Sequence, residues 1–250
     1  VVDGDTLALI YTGHKFHGDP GDEANLYQVQ CLATSRDGIQ FVRHGTVIDT
    51  PPGLHHFRDP KVWREGAWWY LVVGAREGDT GQVRVYRSAD LREWHDRGVL
   101  AVAEKELGYM WECPDYFELD GKKFLSVSPQ GLKREEFRFQ NIYQSGYFPV
   151  KEDGSVDERD FREWDMGFDF YAPQTFTDNS GRRLLIGWMG MPDAEEEYTN
   201  KTIDEGWQHC LTVPRELRVK DGKIFQYPAK ELERLRKEKT ILDDEKSIVE

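Results

Sequence analysis

Phe57-Arg58-Asp59-Pro60-Lys61-Val62-Trp63-Arg64-Glu65-Gly66-Ala67-Trp68-Trp69-Tyr70-Leu71-Val72-Val73 is an apolar strand, a turn carrying glycine and a second apolar strand, entered through an Arg-Asp-Pro triplet. The same pattern recurs along the chain. Val1-Val2-Asp3-Gly4 leads into Leu7 to Tyr11, and Tyr116 to Leu119 passes through Asp120-Gly121 into Phe124 to Val127. Thr175-Phe176 is joined to Leu184 to Trp188 across Asn179-Ser180-Gly181, and Leu217 to Val219 to Ile224-Phe225 across Asp221-Gly222. Glycine at such tips supplies the positive φ that tight hairpin turns demand. The five turn glycines stand 62, 55, 60 and 41 residues apart, close to the length of one four-stranded propeller blade.

A second signature repeats with the same unit. Ser35-Arg36-Asp37-Gly38-Ile39-Gln40-Phe41 through Gly45 matches Ser88-Ala89-Asp90-Leu91-Arg92-Glu93-Trp94 through Gly98 at identical spacing, and Asp160-Phe161-Arg162-Glu163-Trp164 to Gly167 is a degenerate third copy. These read as turns between outer strands, with Asp bonding the backbone just after it and the aromatic ring packing between blades. The sequence therefore predicts an all-β β-propeller over 1–228 built from these repeated hairpins, with the first blade incomplete. Residues 229–250, charged and poor in apolar side chains, read as a linker or short surface helix at the start of a following domain.

Prolines with polar neighbours enter four of the repeats: Arg58-Asp59-Pro60, Glu112-Cys113-Pro114-Asp115, Tyr171-Ala172-Pro173-Gln174 and Val213-Pro214-Arg215-Glu216. The innermost strands of a propeller line one channel, so equivalent positions at their starts converge on one mouth. Asp59 and Glu112 then become two carboxylates facing one cavity, serving either turn chemistry and salt bridges or glycoside hydrolysis, in which one gives a proton to the leaving oxygen and the other attacks or stabilises positive charge.

Bulk properties narrow the partners. A 250-residue chain buries a sizeable core without staples. A net charge of −13 argues against nucleic acid or an anionic membrane surface, leaving a small polar molecule. Aromatic residues, 13% of the chain with eight Trp, suit thick β cores or sugar-binding surfaces. Three cysteines, Cys31, Cys113 and Cys210, are scattered without metal-ligand spacing and are odd in number, which favours a reducing, cytoplasmic setting while leaving secretion open. No apolar run reaches the roughly 20 residues of a membrane-spanning helix. Oligomeric state is open.

Other features have plain readings. His55-His56 lacks the acidic or cysteine companions of a metal site, and Asp193 to Glu197 is an acidic loop without an ordered ligand pattern, so no metal and no cofactor is expected. Trp68-Trp69 alternates across a strand and serves packing. Asn25 contacts substrate through its loop or caps a turn.

Several of these motifs together resemble glycoside hydrolase family 32, whose members include invertases, bacterial sucrose-6-phosphate hydrolases, inulinases and levanases. Phe57-Arg58-Asp59-Pro60-Lys61-Val62 looks like the family's Arg-Asp-Pro motif, and Trp111-Glu112-Cys113-Pro114-Asp115 like its Glu-Cys motif. Tyr11-Thr12-Gly13, Phe168-Asp169-Phe170-Tyr171-Ala172-Pro173-Gln174, Gly187-Trp188-Met189 and Leu211-Thr212-Val213-Pro214-Arg215-Glu216-Leu217 extend the likeness over nearly the whole chain. The resemblance implies a five-bladed propeller followed by a β-sandwich, and a retaining β-fructofuranosidase acting on sucrose or sucrose 6-phosphate. It implies Glu112 as general acid and then base, Asp59 as transition-state stabiliser and Arg58 as its positioner. Cys113 would tune the acid, and Tyr171 and Trp188 would line the sugar pocket.

One family element has no match. The nucleophile is an aspartate in an Asn-Asp-Pro-Asn-type motif on the first blade, and no such string occurs in residues 1–250; Asp19-Pro20, the nearest echo, reads as a turn. The expectation is a fragment that starts after its nucleophile and has little or no activity alone. A non-catalytic sugar-binding propeller, or a fructosyltransferase or fructanase relative, are the alternatives.

Overall fold

The hairpin tips adopt the geometry their glycines predict: Gly4, Gly66, Gly121, Gly181 and Gly222 all have positive φ, and Asp120 and Asp221 share it. The computed structural model describes residues 1–20, 22–54, 56–103, 107–167, 169–193 and 201–237. Among them the chain forms four antiparallel sheets.

The first sheet holds β1 (Val2–Asp3), β2 (Thr6–Phe16), β3 (Leu26–Ser35) and β4 (Val42–Ile48) in sequence order. The second holds β5 (His56–Glu65), β6 (Trp68–Glu77), β7 (Thr80–Ser88) and β8 (Trp94–Val102), again in order. The third runs through β9 (Met110–Leu119), β10 (Lys122–Gln130), β11 (Gly146–Pro149) and β12 (Arg162–Glu163). The fourth is built from β13 (Tyr171–Thr177), β14 (Arg183–Met189), β16 (Arg215–Lys220) and β17 (Lys223–Pro228), with the short β15 (Cys210–Leu211) beside β14.

The hairpin count needs a correction here. The fifth hairpin, turning at Asp221-Gly222, joins β16 to β17 and is the outer half of the fourth sheet, not the inner half of a fifth. Its spacing of 41 residues from Gly181 is short because both turns lie in one sheet. For the same reason Val213-Pro214 precedes a third strand and does not enter the inner row, so the fourth proline motif is no part of the channel mouth.

Apolar faces join the sheets in sequence order. Ile48, Phe57, Leu71, Val73 and Tyr86 pack between the first and second sheets. Trp111, Val72, Val83, Leu125 and Phe148 fill the second interface, and Phe117, Phe124, Trp164, Leu185 and Leu217 the third. Full burial of each such side chain contributes about 1.5–3 kcal/mol, so the interfaces between sheets hold the fold. The repeated outer turns form as read: Asp37 Oδ1 accepts from the amides of Ile39 and Gln40, Asp90 Oδ1 from those of Arg92 and Glu93, and Trp164 is buried in the third interface.

Trp69 is buried, whereas Trp68 is partly exposed beneath the Arg87 guanidinium. Asp19 and Asn25 both belong to the turn that ends in a 3-10 helix at Glu23–Asn25, where Asn25 donates to Asp22. Lys230–Leu235 is a 3-10 helix. His55, Phe168, the acidic stretch 194–197 and residues 238–250 lie outside the described residues. No helix among the described residues is long and apolar enough to cross a membrane.

Candidate active site

Three inner strands share one irregularity. The ladder of β5 with β6 breaks between Arg58 and Lys61, that of β9 with β10 opposite the step between Ser126 and Ser128, and that of β13 with β14 between Tyr171 and Gln174. Each break holds a residue of positive φ directly before proline: Asp59, Cys113 and Ala172. Proline lacks the N–H a ladder needs, and the bulge it occupies bends the strand and re-aims the side chains beside it. The residues before each bulge, Arg58, Glu112 and Tyr171, then meet.

Arg58 donates from Nε and Nη2 to Glu112 Oε1, at 2.9 and 2.7 Å, and the Tyr171 hydroxyl donates to Glu112 Oε2. Asp59 turns toward the same carboxylate's strand: its Oδ2 accepts from the Cys113 amide at 3.0 Å and lies 3.6 Å from the Cys113 sulfur. Arg58 Nε is 4.0 Å from Asp59 Oδ2, so one guanidinium spans both carboxylates. Five of the six residues singled out in the sequence therefore form one connected group. Trp188 stands beside it: it is the cross-strand partner of Tyr171, with its ring packed 5.1 Å from that of His209.

The electrostatics follow from burial and charge. Burial would lower the Arg58 pKa, but the charge and hydrogen bond of Glu112, with Asp59 and Tyr171, together outweigh it and hold the guanidinium above its ordinary value. Burial, then Glu112, push the Tyr171 hydroxyl far above the usual tyrosine range, so it stays a proton donor. Burial and the neighbouring Asp59 raise the Cys113 thiol well above its ordinary value, leaving it neutral and unreactive as a nucleophile. His56 is buried behind Arg58, accepting from its Nη1 at 2.7 Å; burial, then the guanidinium, lower its pKa.

The residues after each proline also meet, and sequence reading passed them over. Lys61 Nζ reaches Asp115 Oδ2 at 3.3 Å, Gln174 Oε1 at 3.1 Å and the Thr175 carbonyl at 2.5 Å. Asp115 is fully buried and also accepts from the Thr175 amide. A cavity of about 740 Å³ opens on this side, lined by Pro60, Lys61, Trp63, Tyr116, Thr175 and Phe176 but not by Arg58 or Glu112. The repeat itself was the missed signal: Lys61, Asp115 and Gln174 occupy one equivalent position, as Arg58, Glu112 and Tyr171 do. Gly74 and Gly81 let the second sheet approach closely enough to align the rows, since a Cβ on either would collide with Trp111, the neighbour of Glu112.

Fold and site together define a β-propeller protein with two carboxylates, Asp59 and Glu112, brought together on adjacent sheets, one arginine spanning both and a tyrosine on Glu112. Residues 1–228 match the glycosyl hydrolases family 32 N-terminal domain, and the chain belongs to that family. It is similar to a sucrose-6-phosphate hydrolase of Escherichia coli, 46% identical over 242 residues that cover 95% of this chain and 50% of the relative. A raffinose invertase of Escherichia coli is 45% identical over 241 residues, with the same coverage. Among solved structures, a mutant Bombyx mori β-fructofuranosidase in complex with sucrose superposes with a TM-score of 0.86 at 36% identity, covering 95% of this chain and 51% of that one. The sucrose-6-phosphate hydrolase of Lactobacillus gasseri gives 0.85 at 30% identity, covering 98% and 51%. The chain thus spans about half the length of the curated relatives it matches.

Proposed function

We propose that this chain carries the acid–base residue and the transition-state stabiliser of a retaining β-fructofuranosidase that cleaves the β-fructofuranosyl bond of sucrose or sucrose 6-phosphate. The observation that carries the reading is Glu112, held at both oxygens by Arg58 and Tyr171, with the same Arg58 reaching Asp59. The sucrose-bound relative supports the substrate class.

Each group has a role its surroundings suit. Glu112 gives its proton to the glucosyl oxygen as the bond breaks and later takes one from water. Asp59 receives fructosyl hydroxyls while its Oδ2 stays on the Cys113 amide, and its charge offsets the positive charge that grows on the ring. The covalent step is assigned to no residue of 1–250, where no Asn-Asp-Pro-Asn-type motif occurs. A reducing, cytoplasmic setting belongs to the same reading, supported by three free cysteines.

The test is fructose release from sucrose and sucrose 6-phosphate by the protein expressed with and without its natural flanking sequence. Release by the longer form and silence of residues 1–250 are expected. Binding of either sugar by the longer form without turnover would replace the reading with a sugar-binding propeller, and transfer to a second sugar with a fructosyltransferase.

A further inference from the structure

Arg58 and Asp59 sit at a point where the backbone ladder of their own sheet stops, since Asp59 and Pro60 have no partners in β6. Something other than sheet pairing must fix them. The neighbouring first sheet supplies it. Gln28 and Gln30, two residues apart on β3 and each about 99–100% buried, reach across the interface to the Phe57 peptide groups. Gln28 Oε1 accepts from the Phe57 amide at 2.8 Å, and Gln30 Nε2 donates to the Phe57 carbonyl at 2.8 Å.

The remaining atoms of both carboxamides are also used. Gln28 Oε1 lies 3.5 Å from Arg58 Nη1, and its Nε2 is 3.1 Å from His14 Nδ1. Gln30 Oε1 accepts from the Thr12 hydroxyl at 3.0 Å, and the same hydroxyl accepts from the Asp59 amide at 3.0 Å. Peptide groups on both sides of Arg58 are therefore gripped by side chains of one adjacent sheet. Carboxamides are costly to bury, and an apolar pair would fill this interface without that cost; full pairing of every atom marks a network whose value lies in geometry.

We propose that Gln28, Gln30 and Thr12 are positioning residues: they set the backbone of Phe57 to Asp59, and through it the aim of Arg58 and Asp59 at the reacting sugar. The inference rests on the fructosidase reading only for what the aim serves, and its test separates the two. Thr12→Val removes the bridging hydroxyl at constant shape, Thr12→Ser retains it, and Gln30→Met removes the carboxamide at similar length.

In the purified 250-residue chain, the Asp59 amide should exchange with deuterium at least ten-fold faster in Thr12→Val and Gln30→Met. The amides of Leu71 to Val73 should be unchanged, and Thr12→Ser should restore protection. In the longer protein the same two variants should lose at least ten-fold in kcat, with KM within about two-fold, and Thr12→Ser should recover most of it. Unaltered exchange at Asp59, or altered exchange with kcat undiminished in an enzyme whose unmodified form is active, overturns the proposal. Absence of fructose release by the unmodified longer protein counts against the fructosidase reading alone, and the exchange experiment still decides the backbone clamp.

Discussion

Lys61→Met tests how the three inner strands are held together. Asp115 is fully buried, and Lys61, about a quarter exposed, is its cationic partner at 3.3 Å. The substitution keeps the aliphatic stem but leaves a buried carboxylate with the Thr175 amide as its remaining donor, and it also empties the contacts to Gln174 and the Thr175 carbonyl. Breaking a buried pair from one side costs about 3–5 kcal/mol. Since Lys61 keeps some access to water, the loss should fall near the lower figure. For a chain of this size each kcal/mol moves Tm by about 2–4 °C, so differential scanning calorimetry should show a fall of roughly 6–12 °C. Adding Asp115→Asn to Lys61→Met should restore more than half, because a neutral carboxamide still accepts from Thr175 and no longer buries a charge. A fall of less than about 3 °C, or no recovery in the double variant, would refute the claim that this pair ties the second, third and fourth sheets together.

Tyr171→Phe removes the hydroxyl on Glu112 Oε2 without changing ring packing; a hydrogen bond to a charged group is worth about 1.5–3 kcal/mol, so kcat/KM for sucrose in the active protein should drop roughly ten- to hundred-fold. An unchanged kcat/KM would remove Tyr171 from the site. His56 gives a pH signature in stability. Its folded pKa lies below the ordinary 6.5, so on acidification the unfolded chain takes up the proton first, and stability falls as pH drops from about 6.5 toward the folded pKa. His56→Gln, which still offers Arg58 an acceptor, should flatten the fall of unfolding free energy below about pH 6.5, a slope of at most about 1.4 kcal/mol per pH unit for one proton, followed by denaturant melts across that range. Parallel curves for the two proteins would show that His56 is not the group responsible.

Much of the fold was legible because its signals are local. An Asp-Gly tip forces its own φ values whatever lies around it, and Ser35-Arg36-Asp37 and Ser88-Ala89-Asp90 close their turns with their own side chains. A tip does not say which two strands it joins, and so Asp221-Gly222, turning between the outer strands β16 and β17, was indistinguishable from an inner turn except by its short spacing. At the site, the repeated proline motif pointed to Asp59 and Glu112, and Arg58 and Tyr171 followed from the family resemblance; that Arg58, Glu112 and Tyr171 share one place, two residues before proline, stands out only once the bulges are seen. Gln28-Val29-Gln30 was opaque for a physical reason: alternating polar and apolar residues on a strand read as polar outward, and here the polar side chains face inward because a neighbouring strand offers them unpaired peptide groups. Lys61 and Asp115 were hidden in the same way, as charged residues that burial accommodates only through a partner 54 positions away.

Glu112→Gln in the active protein addresses the central claim most directly, with turnover of sucrose set against that of a β-fructosyl fluoride, whose leaving group needs no proton. General acid catalysis contributes about 10²–10⁴-fold, so fructose release from sucrose should fall by that factor while release from the fluoride stays within about ten-fold of the unmodified enzyme. Sucrose turnover by Glu112→Gln close to that of the unmodified enzyme, or equal losses on both substrates, would contradict the assignment of Glu112 as the acid.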